Sequence, residues 1–275
     1  MAKGTLFIIG LGLHDEEGIT LRGLKAAREA DKVFLEHYTS LMPALSLNRL
    51  EELLGKPIRT VDRTVLEDLD AEPILSEALK GKKVALLVPG DPMIATTHVA
   101  VRLRAEELGI RTKVIHAPSI MTAVIGLTGL QSYRFGRSVT ITYPEHGLVS
   151  EAPYWTVLEN KVRDLHTLCL LDARADEGRY MTIKEALKIM IELEERLGKG
   201  LIEPNTLAIG IARAGSPEPI VKADGIEALL NYDFGPPPHT LVFPAQLHFL
   251  EAKALKLLAD APDWVFRRGA GGRGR

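Results

Sequence analysis

The chain has 275 residues, of which 46% are hydrophobic and 25% charged, and its formal net charge is -2. This composition is typical of a globular protein with one large or two ordinary domains, and it lacks the basic field of a nucleic-acid-binding protein. The single cysteine, Cys169, excludes an intramolecular disulfide and a cysteine-based zinc cluster. No apolar run approaches the ~18 residues of a membrane span. We therefore expect a cytoplasmic protein without a membrane or direct nucleic-acid partner.

Strand and helix patterns alternate through the first 117 residues. The strand patterns are Thr5–Ile9, Val33–Tyr38, Ile58–Val61, Val84–Val88 and Lys113–His116. The helix patterns are one that opens near Thr20, then Leu45–Leu54, Pro73–Leu79 and Pro92–Leu108. This alternation predicts a mostly parallel sheet with right-handed crossovers.

A second series of strands and helices follows a helix that begins near Ser119 and a polar segment at Thr128–Gly136. Its strand patterns are Ser138–Thr142, His166–Leu171, Thr206–Ala212 and Thr240–Phe243, and its helix patterns are Tyr154–Val162, Thr182–Leu197, Asp224–Leu230 and Ala245–Leu258. We therefore expect two α/β domains, residues 1–117 and 137–262, with a connection at 118–136. Residues 263–275 end in arginine and glycine and are expected to form a disordered tail.

The segment Val84–His98 has the pattern of a buried strand, a tight turn and the start of a helix. Asp91 follows Pro89-Gly90 and suits a helix N-cap, and Pro92 suits the first helical position. Open α/β sheets place ligands beyond the carboxyl ends of their strands. From local chemistry alone, however, Asp91 is better interpreted as a cap than as a binding residue.

The glycine pair Gly10 and Gly12 follows the first strand, as in a dinucleotide-binding fingerprint. The third glycine of that fingerprint would fall at position 15, which is Asp15, so a nicotinamide-dependent oxidoreductase is the weakest alternative. The two glycines still permit close backbone approach, either to a ligand or to a neighbouring loop. The histidines lack metal-ligand spacing, and no metal site is expected.

Several loop motifs occur together along the chain. They include Ile9-Gly-Leu-Gly-Leu13, Glu36–Ser40, Pro89–Pro92, Ala95–His98, His116–Ile120, Ala212–Gly215 and Pro237–His239. In this combination the chain resembles the diphthine synthases, S-adenosylmethionine-dependent methyltransferases of the tetrapyrrole-methylase-like group. The wider group usually has Gly-x-Gly-Pro-Gly-Asp in the first loop. Leu13 and His14 replace the proline and the glycine after it, as in diphthine synthases, which argues against a tetrapyrrole substrate.

The resemblance implies two α/β domains with S-adenosylmethionine in the cleft between them, and a homodimer. It also implies repeated methylation of the amino group of a 3-amino-3-carboxypropyl-histidine in translation elongation factor 2, a step of diphthamide biosynthesis, with S-adenosylhomocysteine as the product. The cofactor-binding residues carried over from the family are Leu13, Asp91, Ile94, Ser119, Ile120, Leu171, Ala214 and His239.

The resemblance does not identify the base that the reaction requires. An alkyl amine is mostly protonated at neutral pH and must lose a proton before each transfer. The candidates are His14, His98, His116, Glu36 or bulk water. Methylation of a small tetrapyrrole and a non-catalytic binding module are the competing hypotheses.

Overall fold

The computed structural model describes residues 3–36, 38 and 40–269. The chain divides into two compact units. The first runs to Ile120 and includes Ala173–Gly178, and the second comprises Met121–Asp172 and continues from Arg179. Each unit has its own sheet and its own hydrophobic core.

The first unit contains a five-stranded parallel sheet with the strand order β3-β2-β4-β1-β5. Its strands are β1 (Thr5–Gly10), β2 (Lys32–Glu36), β3 (Arg59–Val61), β4 (Lys83–Val88) and β5 (Arg111–Ile115). Successive side chains of a strand point to opposite faces. Leu86 accordingly packs in one apolar cluster and Leu87 in another, and both are fully buried. The predicted parallel sheet, covered on both faces, is confirmed.

The helices of the first unit begin and end where local signals predict, with one exception. They are α1 (Leu21–Glu29), α2 (Leu47–Leu54), α3 (Glu72–Leu79) and α4 (His98–Glu107). The Thr20 side chain accepts a hydrogen bond from the backbone N–H of Gly23 and caps α1. Gly55 ends α2 in the left-handed conformation that favours glycine.

The exception is α4, which begins at His98 and not at Pro92. Residues 92–97 form a loop, in which Ala95 has a positive φ of 53°. Asp91 does not cap the helix, because one carboxylate oxygen closes a local turn on the Met93 N–H and the other is bonded to the segment after β5. The prediction of an N-cap at Asp91 was therefore wrong.

The second unit contains a mixed sheet with the order β11-β10-β12-β7-β6. Its strands are β6 (Val139–Ile141), β7 (Thr167–Leu171), β10 (Leu207–Ala212), β11 (Ile220–Gly225) and β12 (His239–Phe243). Two short strands lie outside this sheet: β8 (Ala173–Arg174), in the segment that belongs to the first unit, and β9 (Arg179–Tyr180), in the second. In the mixed sheet β6 and β7 pair in parallel, and the other pairs are antiparallel. Strand β11 was not predicted from the sequence, because this half-buried edge strand has polar residues among its few apolar ones.

Five of the six helices described in the second unit were predicted from the sequence, and the sixth lies in the segment expected to be a disordered tail. They are α5 (Ile120–Thr128), α6 (Ala152–Val162), α7 (Ile183–Leu197), α8 (Ile226–Asn231), α9 (Phe249–Leu258) and α10 (Asp263–Gly269). Helix α5 is the helix predicted to begin near Ser119, it lies within the segment 118–136, and its Val124 is fully buried. The expected tail begins with α10, where burial of Val265 supports the helix. Residues 270–275 lie outside the described part of the chain.

Candidate functional site

The parallel sheet brings three loops to one edge of the first unit. Strands β4, β1 and β5 are neighbours, so their carboxyl ends and the segments after them lie side by side. Every residue that the resemblance assigns to the cofactor in this unit lies on these segments or at the start of α5. These residues are Leu13 after β1, Asp91 and Ile94 after β4, and Ser119 and Ile120 after β5.

The first two of these loops are joined by their glycines. The Gly12 N–H donates to the Gly90 carbonyl over 3.3 Å, and the Gly90 N–H donates to the Gly12 carbonyl over 2.6 Å. A Cβ on Gly10 would lie 2.5 Å from the Gly90 oxygen and 2.7 Å from the Cβ of Ala117. The glycines therefore serve close approach to a neighbouring loop, which is one of the two alternatives left open by the sequence.

Asp91 joins the second loop to the third. Its Oδ1 accepts a hydrogen bond from the Met93 N–H over 3.0 Å. Its Oδ2 lies 2.8 Å from His116 Nδ1 and accepts from the Ala117 N–H over 3.3 Å. The side chain is 92% buried, with a relative exposure of 8%. Asp91 thus holds two strand-end loops together and places a carboxylate at this edge of the sheet.

Apolar side chains at the same edge remain accessible. Leu13 and Ile120 are half-buried and Ile94 is 41% exposed. None of the three belongs to the buried clusters of the described core. Ser119, which precedes Ile120 in the chain, is buried and takes part in a polar interaction. Small-ligand sites commonly combine such apolar surface with a few fixed polar groups.

In the second unit, strand direction brings together the other three assigned residues. Strand β12 runs antiparallel to both β7 and β10. Its first residue, His239, is the register partner of Ala212 at the end of β10, and Thr240 is the partner of Leu170. Leu171 at the end of β7, Ala214 after β10, and His239 therefore lie at one edge of this sheet.

His239 has a buried donor that the described part of the chain does not satisfy. Its side chain is 93% buried, and Nδ1 accepts the Ile183 N–H over 3.2 Å. The proton of the neutral ring is therefore on Nε2, which has no hydrogen-bond partner among the described residues. Burial lowers the pKa of His239, partly offset by the nearby carbonyls of Pro236 and Gly235. An unpaired buried N–H is costly, so this atom fits a ligand acceptor.

Sequence reasoning gave no role to Arg213 and missed Ser216, which follow β10. Arg213 Nη1 donates to the carbonyls of Phe234 over 2.9 Å and Pro236 over 2.8 Å. This clamp fixes the segment that leads to His239. Ser216 Oγ is buried without a partner in the described residues. Arg213 stands within the quoted motif Ala212–Gly215, but its long-range partners become visible only in the fold.

The candidate bases differ sharply in their surroundings. Glu36 and His98 have relative exposures of 0% and 1%, and His98 Nε2 lies 3.6 Å from Glu36 Oε1. Burial lowers the pKa of His98 to about 4. His14 is half-buried, and its Nδ1 has no partner among the described residues. His116 has a side-chain exposure of 71% and contacts Asp91.

The described part of the chain contains no group of three or more histidine, cysteine, aspartate or glutamate side chains that could hold a metal ion. Among its helices, none has the length and apolar composition needed to cross a membrane.

Comparison with known proteins identifies the family. Residues 5–229 match the family described as Tetrapyrrole (Corrin/Porphyrin) Methylases. The diphthine synthase of Methanocella arvoryzae is 49% identical over 254 residues, which cover 92% of this chain and 98% of that protein. The diphthine synthase of Methanocaldococcus jannaschii is 45% identical over 257 residues, or 93% and 99% of the two chains. This chain belongs to the diphthine synthase family.

The fold agrees with this membership. A crystal structure of a diphthine synthase superposes with a TM-score of 0.86 and 42% identity, covering 96% of this chain and 99% of the other. The predicted family and α/β fold are confirmed, and the chain is an enzyme, a methyltransferase. The partial dinucleotide fingerprint after β1 is explained by the contact of Gly12 with Gly90 and not by a nicotinamide cofactor.

Proposed function

We propose that this chain transfers methyl groups from S-adenosylmethionine to the amino group of the 3-amino-3-carboxypropyl-histidine of translation elongation factor 2, forming diphthine. The observation that carries the proposal is identity of 45% and 49% to two diphthine synthases over nearly the full length of all three chains. The form of the first loop, with Leu13 and His14, supports this acceptor over a tetrapyrrole.

We also propose that the cofactor contacts the residues carried over from the family. Support comes from each unit separately, because its assigned residues share one sheet edge. The residues are Leu13, Asp91, Ile94, Ser119 and Ile120 in the first unit, and Leu171, Ala214 and His239 in the second. The unpaired Nε2–H of His239 is the feature that a bound ligand would explain.

S-adenosylmethionine supplies a methyl group on a sulfonium, which is a built-in leaving group. The chain must therefore bind the cofactor, align the substrate amine with its methyl group, and exclude water. The half-exposed apolar side chains suit an adenosine, and the His239 Nε2–H suits an acceptor atom of the cofactor. The Asp91 carboxylate favours a cationic group at its sheet edge. Alignment of two reactants can supply about 7–11 kcal/mol in well-oriented intramolecular models.

The enzyme would act on elongation factor 2 as a homodimer in the cytoplasm. The family resemblance supports the homodimer, and the place of the substrate in translation supports the compartment. The net charge of -2 does not provide the positive electrostatic potential that direct binding of nucleic acid requires.

The deciding experiment is transfer of labelled methyl from S-adenosylmethionine to elongation factor 2 that carries the precursor side chain. We expect label on this protein, a mass increase in methyl steps, and no label on elongation factor 2 with an unmodified histidine. The Asp91→Ala variant should lose cofactor affinity, transfer or both. Absence of label on the precursor protein would refute the proposal, and label on an added corrinoid or uroporphyrinogen would indicate the tetrapyrrole alternative.

A further inference from the structure

Asp91 and His116 form a carboxylate–imidazole pair between the ends of β4 and β5. The distance from Asp91 Oδ2 to His116 Nδ1 is 2.8 Å. The two side chains differ greatly in burial, because Asp91 is 8% exposed and His116 is 71% exposed. One end of the imidazole is therefore held by a buried carboxylate while most of the ring faces solvent.

The hydrogen bonds of Asp91 determine which nitrogen of His116 carries the proton. Asp91 accepts from the backbone N–H groups of Met93 and Ala117, both of which can only donate. An ionised carboxylate can only accept, so His116 Nδ1 must carry a hydrogen to make the 2.8 Å contact. In the neutral ring Nε2 then has a free lone pair. The same logic orients the histidine of hydrolase triads.

The other candidate bases are less suited to meet a substrate. Glu36 and His98 are at most 1% exposed, and they face each other at 3.6 Å. Burial also lowers the pKa of His98 to about 4, which makes it a poor proton acceptor. His14 Nδ1 has no hydrogen-bond partner among the described residues, so no carboxylate orients the ring through that nitrogen. His116 alone among the four combines exposure with an orienting carboxylate.

We propose that His116 is the general base of the methyl transfer, oriented by Asp91; the inference rests on the proposed function. Nε2 takes a proton from the substrate ammonium, which yields a neutral amine and an imidazolium. The amine lone pair forms the N–CH3 bond while the S–CH3 bond breaks, and its electron pair stays on sulfur as a neutral thioether. The Asp91 carboxylate stabilises the imidazolium.

The exposure of His116 also fits repeated transfer. Each methylation of a primary or secondary amine leaves an ammonium that must lose another proton before it can react again. His116 must therefore release its proton between transfers, and a ring that is 71% exposed can do so to water. A base buried like His98 would have no such route to solvent.

The test is single-turnover methyl transfer to the precursor-bearing elongation factor 2 at saturating S-adenosylmethionine. For His116→Gln we expect a rate about 100-fold or more below that of the natural enzyme, as is typical for loss of a general base. Cofactor affinity measured by calorimetry should stay within about twofold, since Asp91 keeps its backbone partners. For His116→Ala, added imidazole should restore part of the rate.

The matched control is His146→Gln, which removes another exposed histidine outside the assigned site. It should transfer methyl at the natural rate. Full activity of His116→Gln, or failure of imidazole to restore His116→Ala, would overturn the role of His116 and leave the proposed function intact. A parallel fall of cofactor affinity would also overturn it, in favour of a structural role. No transfer by the natural enzyme would refute the proposed function, and the inference with it.

Discussion

Gly12 and Gly90 exchange two backbone hydrogen bonds, with N···O distances of 3.3 and 2.6 Å. This exchange joins the loops after β1 and β4, which are neighbouring strands. Both glycines have positive φ angles, 84° and 68°. The position of Leu13 relative to Asp91 and Ile94 thus depends on glycine backbone that no side chain can replace without strain.

Gly10→Ala should damage this junction directly. Its Cβ would lie 2.5 Å from the Gly90 carbonyl oxygen, which is backbone and cannot swing away. We expect a loss of about 1–3 kcal/mol in the free energy of unfolding, as for other overpacked sites, and weaker cofactor binding. Urea unfolding and calorimetry measure the two effects.

Gly126→Ala is the control for this substitution. Gly126 lies within α5, and a Cβ there meets nothing within 4 Å. The change should leave stability unchanged or raise it by about 0.5–1 kcal/mol, because alanine is the better helix former. If Gly10→Ala proved as harmless as Gly126→Ala, the close packing of the loops would be wrong.

The substitution His239→Asn distinguishes the roles of the two ring nitrogens of His239. The asparagine oxygen can replace Nδ1 as acceptor for the Ile183 N–H, but nothing replaces the unpaired Nε2–H. We expect stability close to that of the natural protein and a loss of about 1 kcal/mol or more in S-adenosylmethionine binding, the scale of one buried hydrogen bond. Calorimetry and thermal unfolding should be run together. Unchanged cofactor affinity would show that Nε2 does not contact the ligand.

Stability should fall between pH 6.5 and pH 4 because of His98. Burial lowers its pKa from 6.5 to about 4, so a proton binds more readily to the unfolded chain. The stability that the neutral His98 ring contributes is complete above pH 6.5 and is lost as the pH falls to about 4. At that pH the loss amounts to about 3 kcal/mol. Urea midpoints at several pH values measure this loss.

His98→Asn should flatten that pH dependence. The pKa of His239 is also lowered by burial, but His239 is present in both proteins and its effect cancels in the comparison. An unchanged slope between pH 6.5 and 4 in the variant would rule out His98 as its source.

Glu251→Gln should be strongly destabilising. Glu251 is fully buried and accepts from His166 Nε2 over 2.9 Å and Arg134 Nη1 over 2.6 Å. Burial opposes its ionisation, but the hydrogen bond from His166 and those from the N–H groups of Gln131 and His248 lower its pKa to about 2. In glutamine an NH2 group replaces one of the two carboxylate oxygens. This group is itself a donor and cannot accept a hydrogen bond from any of these partners. We expect a loss of about 3–5 kcal/mol in urea unfolding, the cost of breaking a buried ion pair.

The substitution Glu107→Gln tests whether burial is the reason for the large destabilisation expected of Glu251→Gln. Glu107 also pairs with an arginine, Arg104, at 3.3 Å, but both side chains are about half exposed or more. Its removal should change stability by less than about 1 kcal/mol, because exposed pairs contribute little. Equal effects of the two substitutions would contradict the network assigned to Glu251.

The sequence predicts its local structure where the signal is local. Unbroken apolar runs such as Val84–Val88 are strands covered on both faces, and Thr182 with Glu185 forms the predicted capping box that opens α7. The alternation of strands and helices predicts the parallel sheet, since parallel strands need long crossovers. Loop motifs such as His116–Ile120 were sufficient to predict the family.

Residues whose partners are distant in sequence could not be assigned in this way. Asp91 has the local signature of a helix cap, yet it bonds to His116 and Ala117, 25 and 26 positions further on. Strand β11 was missed because an edge strand needs little apolar surface, and its pairing with β10 supports it. Hydrogen bonds between segments that are distant in sequence outweigh the local propensity of the residues, which is why local patterns did not predict these two features.

The sequence by itself determined the family, the alternating elements and the residues that stand at strand ends, because motifs and hydrophobic period are properties of neighbouring residues. Only the tertiary structure decided which of four candidate bases is exposed and oriented, and which histidine nitrogen lacks a partner. Burial and hydrogen-bond geometry depend on segments far apart in the chain. Asp91 and His116 acquire their relationship only when β4 and β5 end at the same edge of one sheet.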